Sequence, residues 1–97
     1  MTDRPRLQAV VFDVGETLID ETRTWEAHAD AVGVPRFTFM AAIGALIAAG
    51  RSHRESFAIL GVPEPTTLPP LRPEDLYPDA RPCLAAIRAM GIRVGIA

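Results

Sequence analysis

The chain has 97 residues, of which 48% are hydrophobic, and it carries a formal net charge of -2. This length allows a buried core, whereas the slightly acidic balance makes a nucleic acid an unexpected partner. The single cysteine excludes an internal disulfide, the N-terminus lacks the apolar stretch of a secretory signal, and the most apolar segment, 37–49, is shorter than the ~18 residues of a membrane span. We therefore expect a cytoplasmic protein without a membrane partner.

Residues 7–13 predict the first β-strand. The apolar positions 9–12 (AVVF) run without alternation, which is typical of a parallel strand that is buried on both faces. Asp13 follows them at the carboxyl end of the strand, where ligands bind in open α/β sheets. We therefore expect the carboxylate of Asp13 to be a functional side chain.

Residues 20–73 predict a helical insert followed by a return linker. Helices are expected at 20–32, 37–49 and 53–60, and each is followed by a glycine. The segment 62–73 contains five prolines and predicts a stiff linker. The aromatic side chains of the insert are expected to lie in its core: Trp25, Phe37, Phe39 and Phe57. The two histidines, His28 and His53, are expected to have structural roles.

The sequence also predicts which parts of these helices are buried. The segment 37–49 is apolar nearly throughout, which favours a buried helix. Asp20 and Glu21 are expected to begin the first helix, where negative charge suits the helix dipole. One face of that helix is expected to be buried, and it contains Trp25, His28, Ala29 and Val32.

The last segment, 74–97, predicts a helix and a second strand. Asp79 is placed to cap the helix, Gly91 closes it, and its buried stripe is expected to contain Leu84, Ile87 and Met90. The apolar strand 92–97 follows at once. A helix that leads into such a strand forms the second half of a right-handed β-α-β crossover, so we expect the two strands to be parallel neighbours.

The expected fold class is therefore α/β, with a parallel sheet core formed by 1–19 and 74–97 and an all-helical insert with its linker at 20–73. The chain stops within an apolar strand that no turn or polar tail follows. We accordingly expect the front part of a longer protein, truncated after the second core strand. If the chain ended at Ala97, the open edge of the strand 92–97 would be expected to pair with another copy, giving a homodimer.

Two stretches carry a resemblance to a known family. After the apolar strand, residues 12–18 read FDVGETL, and residues 76–82 read LYPDARP before a helix, a glycine and a strand. The first stretch resembles the opening signature of the haloacid dehalogenase (HAD) superfamily, a hydrophobic strand followed by D-x-D-G-T-L. The second is similar to the segment that leads into that family's second signature. The resemblance implies a Rossmann-like core and places the helical insert where the family has its C1 cap.

The resemblance also implies a hydrolase that acts on a small phosphorylated substrate. In this family the aspartate at the position of Asp13 attacks phosphorus and forms an aspartyl-phosphate that water then opens. Mg²⁺ would be bound by Asp13, by the backbone carbonyl of Gly15 and by later acidic residues, a mixture of oxygen ligands that magnesium accepts. Thr17 belongs to the turn of the motif and would support the site. The later signatures would fall beyond Ala97, so the 97 residues alone are expected to be inactive.

Gly15 stands where the family's phosphatases have a second aspartate, which protonates the leaving alkoxide and then activates water. Such acid-base catalysis contributes typically ~10²–10⁴-fold. Three alternatives follow: a phosphatase in which Glu16, another residue or an acidic leaving group compensates; a dehalogenase-like enzyme, whose halide leaves without a proton; or a module that binds phosphate without turnover. The first is favoured, because the glycine keeps the small turn of the phosphatases, where the dehalogenases carry a bulkier residue.

Overall fold

The computed structural model describes residues 4–97 of the chain. Within them lie four α-helices, two short 3₁₀ helices and a two-stranded parallel sheet, so the fold is of mixed α/β type. In chain order the elements are β1 (Ala9–Phe12), α1 (Thr22–Val32), α2 (Arg36–Ala48), the 3₁₀ helix His53–Glu55, α3 (Ser56–Leu60), the 3₁₀ helix Pro73–Asp75, α4 (Ala80–Ala89) and β2 (Arg93–Ile96). The described residues form two compact units, a sheet unit of 4–21 with 72–97 and a helical unit of 22–71.

β1 and β2 are parallel neighbours in the sheet unit, which confirms the prediction from the crossover. Their register runs from Ala9 opposite Arg93 to Phe12 opposite Ile96. The prediction that the first strand is buried on both faces is wrong, because Val11 is 66% exposed and only alternate residues of the strand are half-buried. Within residues 4–97, β1 has one neighbouring strand, so its apolar run is covered only in part.

α4 returns the chain to the sheet and packs against β2. Asp79 occupies the N-cap position as predicted, but its side chain makes no capping hydrogen bond. Leu84 and Ile87 of the predicted stripe are half-buried. Met90 was predicted to join them but is 72% exposed, because the helix ends at Ala89 and Met90 is already the C-cap residue.

The core of the helical unit forms where α1, α2 and α3 meet. The predicted face of α1 is confirmed, since His28 and Ala29 are buried and Trp25 and Val32 pack against the same cluster. Phe39 is fully buried at the centre. The buried apolar members of the cluster are Ala29, Phe39, Ile43 and Phe57.

α2 is apolar around most of its circumference but buries one side. Phe39, Ile43 and Leu46 are buried, whereas Phe37 is 88% exposed and Ile47 is 61% exposed. The prediction of a buried helix with Phe37 in the core is therefore wrong. The neighbours of α2 are α1, α3 and the 3₁₀ helix before α3, and together they cover only one side of it.

No single helix in residues 4–97 is long and apolar enough to cross a membrane. α1 and α2 reach that length and composition only as a pair, and the pair is bent by 116° at the break between them.

Candidate functional site

Asp13 is the first residue after β1, at the carboxyl end of the parallel sheet. It is exposed, and the end of β2 lies beside it, since the N–H of Ala97 donates to the carbonyl of Phe12 at 2.9 Å. The hydroxyl of Thr17 lies 3.5 Å from Oδ2 of Asp13, at the outer limit of a hydrogen bond. Asp13 and Thr17, both predicted to belong to the site, are thus neighbours in the structure.

The chain turns back sharply after the motif aspartate. The carbonyl of Val14 accepts hydrogen bonds from three successive N–H groups, those of Thr17, Leu18 and Ile19. The N–H of Glu16 donates to the carbonyl of Ile19 at 2.8 Å. Glu16 has a φ of 57°, a left-handed conformation that costs energy for a residue with a Cβ. Leu18 anchors the turn because its side chain is buried.

The side chain of Glu16 is held at both oxygens. Oε1 accepts the N–H of Glu21 at 2.6 Å, and Oε2 accepts the hydroxyl of Tyr77 at 2.6 Å. Glu16 was predicted as a substitute acid. Its carboxylate joins the turn to two other parts of the sheet unit, one of them 61 residues away in sequence.

The segment that follows the proline-rich linker packs against this turn, a contact that the sequence did not reveal. The N–H of Asp20 donates to the carbonyl of Asp75 at 2.7 Å, and the N–H of Tyr77 donates to the carbonyl of Leu18 at 2.9 Å. The buried carboxylate of Asp75 accepts the N–H of Arg72 at 2.8 Å. Asp75 and Tyr77 therefore stabilise the turn through backbone hydrogen bonds. These residues are distant from the turn in sequence, so no local sequence pattern predicts the contact.

Asp20 and Glu21 lie before α1 and not in its first turn, so that prediction is wrong. Their N–H groups donate to the carbonyl of Asp75 and to the side chain of Glu16, respectively. These bonds hold both residues in the sheet unit, and α1 begins at Thr22.

Tyr77 allows this arrangement to be tested by pH titration. The hydrogen bond to Glu16 raises the pKa of the Tyr77 hydroxyl from 10.0 to about 12, and desolvation and nearby carboxylates act in the same direction. Because the pKa is higher in the folded state, the contact stabilises the fold fully below pH 10.0, and this stabilisation is lost as the pH rises to about 12. We expect Glu16→Gln to lower the pKa of Tyr77 toward 10.0.

The measurement is the ultraviolet absorbance of tyrosinate in the 97-residue chain, where Tyr77 is the only tyrosine. Circular dichroism at each pH establishes that the chain is still folded. A midpoint near 10.0 in the folded native chain would contradict the hydrogen bond to Glu16.

Gly15 lies against the side chain of Glu21. If a Cβ atom is built on Gly15, its three nearest heavy atoms all belong to the carboxyl group of Glu21, with Oε1 overlapping it, Cδ at 2.9 Å and Oε2 at 3.6 Å. The backbone of Gly15 is not among the left-handed glycines. The Glu21 atoms are the far end of a flexible side chain, so a side chain at position 15 would require only that the Glu21 carboxyl group move away.

The donor atoms at this edge of the sheet are oxygens, the ligands that Mg²⁺ prefers. Asp13 offers an exposed carboxylate, and Gly15 offers a backbone carbonyl oxygen. Those residues contain no group of three or more His, Cys, Asp or Glu side chains that could hold a metal ion. The two predicted ligands fit magnesium in kind and would supply two of its oxygens.

The two histidines both lie against Trp25 in the helical unit. The ring of His28 stacks on that of Trp25 with centroids 4.7 Å apart, and the ring of His53 meets it edge-on at 5.1 Å. Nδ1 of His28 lies 2.8 Å from the carbonyl oxygen of Thr24. Both histidines thus pack within the helical unit.

No protein-family model, curated protein or solved structure matches this chain. Its function is therefore inferred from the sequence motif and from the geometry of the sheet unit.

Proposed function

We propose that this chain belongs to a HAD-like hydrolase with a Rossmann-like core and a helical C1 cap, and that the enzyme is a Mg²⁺-dependent phosphatase of a small phosphate ester. The observation that carries the proposal is the position of Asp13, an exposed residue directly after β1 at the carboxyl end of a parallel sheet. Ligands of α/β sheets bind at this edge. A carboxylate held there can attack an electrophilic phosphorus.

The order of the elements supports the same assignment. The helical unit 22–71 separates β1 from α4 and β2 along the chain, which is the position of the C1 cap in the HAD superfamily. A turn whose sequence resembles the family's first signature follows β1, and Thr17 of that turn lies next to Asp13.

In the proposed reaction, a carboxylate oxygen of Asp13 forms a bond to phosphorus while the bond from phosphorus to the leaving oxygen breaks. The products of this step are an aspartyl-phosphate and an alkoxide, which becomes the alcohol by taking a proton from solvent; the attacking water of the next step returns a proton to solvent. Water then attacks the same phosphorus, which releases phosphate and regenerates the carboxylate of Asp13. Mg²⁺, when bound by Asp13 and the carbonyl of Gly15, would neutralise negative charge on the phosphate.

The test is the release of inorganic phosphate by the full-length protein from a panel of small phosphate esters, with Mg²⁺ and after chelation. We expect turnover with Mg²⁺ and its loss with the chelator, because the phosphate charge would no longer be neutralised. Halide release from 2-haloacids that ignores the chelator would identify the dehalogenase-like alternative. Mg²⁺-dependent binding of a phosphate ester without turnover would identify a phosphate-binding module. Either of these two results would overturn the proposed phosphatase.

A further inference from the structure

We infer that Tyr77 is a positioning residue for the proposed magnesium site, because its hydroxyl group holds Glu16 and thereby fixes the direction of the Gly15 carbonyl. This role rests on the proposed function, in which that carbonyl is one of two predicted Mg²⁺ ligands. The sequence motif assigns nothing to Tyr77, which lies 61 residues after Glu16. Groups that hold a metal ligand from outside contribute to metal affinity without touching the metal.

The Gly15 carbonyl belongs to the peptide unit that joins Gly15 to Glu16. On the other side of this unit, the N–H of Glu16 donates to the carbonyl of Ile19 at 2.8 Å. The C=O and N–H of a trans peptide lie in one plane and point in opposite directions, and residues 4–97 contain no cis peptide bond. The plane of this peptide unit, which the bond to Ile19 helps to fix, therefore determines where the Gly15 carbonyl points.

Glu16 controls that plane through its backbone conformation. Its φ of 57° is the rotation between the peptide unit and the rest of the residue, which carries the side chain. This left-handed value costs energy for a residue with a Cβ, so other contacts must hold it. The carboxylate supplies two of them, since Oε1 accepts the N–H of Glu21 at 2.6 Å and Oε2 accepts the hydroxyl of Tyr77 at 2.6 Å.

Tyr77 contacts the turn at two points, and only one of them needs the hydroxyl group. Its backbone N–H donates to the carbonyl of Leu18 at 2.9 Å, and the side chain of Leu18 is buried. This bond places the half-buried Tyr77 beside the turn. Phenylalanine at position 77 would keep the ring and the backbone bond and would lose only the bond to Glu16. Tyr77→Phe therefore releases one oxygen of Glu16 without changing the formal charge of the site.

The first measurement is the dissociation constant of Mg²⁺, obtained by calorimetric titration of the full-length protein without substrate. We expect it to be about three- to tenfold higher in Tyr77→Phe than in the native protein, because the loss of one hydrogen bond has an effect of this size. Circular dichroism without Mg²⁺, at the temperature of the titration, establishes that the two proteins are equally folded. A weaker affinity then reflects the site and not a loss of folded protein.

The second measurement is phosphate release from the most active ester of the panel, at limiting and at saturating Mg²⁺. We expect slower turnover by Tyr77→Phe at limiting Mg²⁺. When Mg²⁺ saturates both proteins, kcat and the KM for the ester should equal the native values. A purely structural role predicts a different result, namely an unchanged Mg²⁺ dependence and a lower rate at every Mg²⁺ concentration.

A double-mutant cycle tests whether Tyr77 acts through Glu16. In Glu16→Ala the hydroxyl of Tyr77 has lost this acceptor, so the addition of Tyr77→Phe should leave the Mg²⁺ dissociation constant unchanged within about twofold. Glu74→Ala is the matched control, since it removes one carboxylate from an exposed position of the same sheet unit. In the Glu74→Ala background, Tyr77→Phe should have its full effect.

A rise of less than about threefold in the Mg²⁺ dissociation constant of Tyr77→Phe would overturn the role of Tyr77. Equal effects of Tyr77→Phe in the Glu16→Ala and Glu74→Ala backgrounds would also overturn it. If the native protein binds Mg²⁺ and releases phosphate, either result leaves the proposed function standing. Weaker Mg²⁺ binding by Tyr77→Phe in a protein that never releases phosphate would support Tyr77 and overturn the phosphatase. A native protein that binds no Mg²⁺ would overturn both.

Discussion

Replacing Phe39 with alanine is expected to unfold the helical unit. Phe39 is fully buried, and its ring lies 5.4 Å from that of Phe57 and 6.1 Å from that of Trp25, measured between centroids. Removal of a buried phenylalanine ring costs about 3–5 kcal/mol. A core of the size that residues 22–71 can form rarely supplies more than about 3–5 kcal/mol in total, so the substitution removes most of the stability of this unit.

Trp25 provides the readout, because it is the only tryptophan of the chain and lies in the helical unit. We expect its fluorescence in Phe39→Ala to resemble that of the denatured chain already without denaturant. The control is Phe37→Ala on the same helix, where the ring is 88% exposed, and its free energy of unfolding should change by less than about 0.5 kcal/mol. Equal effects of the two substitutions would contradict the arrangement of α2.

Asp13→Asn is expected to abolish phosphate release by the full-length protein. The amide has the shape of the carboxylate, so the turn can persist, but it is too weak a nucleophile to form the covalent intermediate. Loss of a covalent nucleophile lowers kcat by a factor on the order of 10⁴ or more. The measurement is phosphate release at saturating substrate with Mg²⁺ present.

Asp79→Asn makes the same chemical change at another exposed aspartate of the sheet unit, whose side chain makes no capping hydrogen bond. Native activity is expected for this control. A native rate in Asp13→Asn would exclude Asp13 as the nucleophile, and an equal loss in both variants would indicate damage to the sheet unit and not to the chemistry.

The order of the elements could be predicted because it depends on local patterns. Each element was predicted from residues close together in the sequence. Examples are the apolar run of 9–12, the glycines after the predicted helices and the apolar residues of the last strand. The parallel pairing of β1 and β2 followed from the chirality of crossovers, and the register confirms it. The helical face of Trp25, His28, Ala29 and Val32 was found in the same way, from a period of 3.6 residues.

The extent of burial could not be predicted, because it depends on which neighbours an element has. Val11 and Phe37 are apolar residues in regular elements, yet both are largely exposed. Periodicity identifies the side of a helix or strand that is apolar. It does not show whether another element covers that side. α2 is apolar on two sides, of which only one is buried.

The candidate site also combines features that the sequence predicted with features that it did not. The proximity of Asp13 and Thr17 could be predicted because they belong to one short motif, and the structure places them side by side. The bond of Glu16 to Tyr77 and the contact of Glu21 with Gly15 could not, since they depend on where side chains point in the folded chain. Gly15 could be predicted to be a departure from the signature that the chain resembles, but the position of the Glu21 carboxyl group beside it depends on the folded structure.

The proposed mechanism requires that Asp13 become phosphorylated during turnover. The most direct measurement is to mix the full-length protein with substrate and Mg²⁺, quench the reaction in acid and determine the mass of the peptide that contains Asp13. The proposed mechanism predicts one added phosphoryl group on this peptide, located at Asp13, and none in Asp13→Asn. Release of phosphate without any phosphoryl group on Asp13, or with the group on another residue, would contradict it.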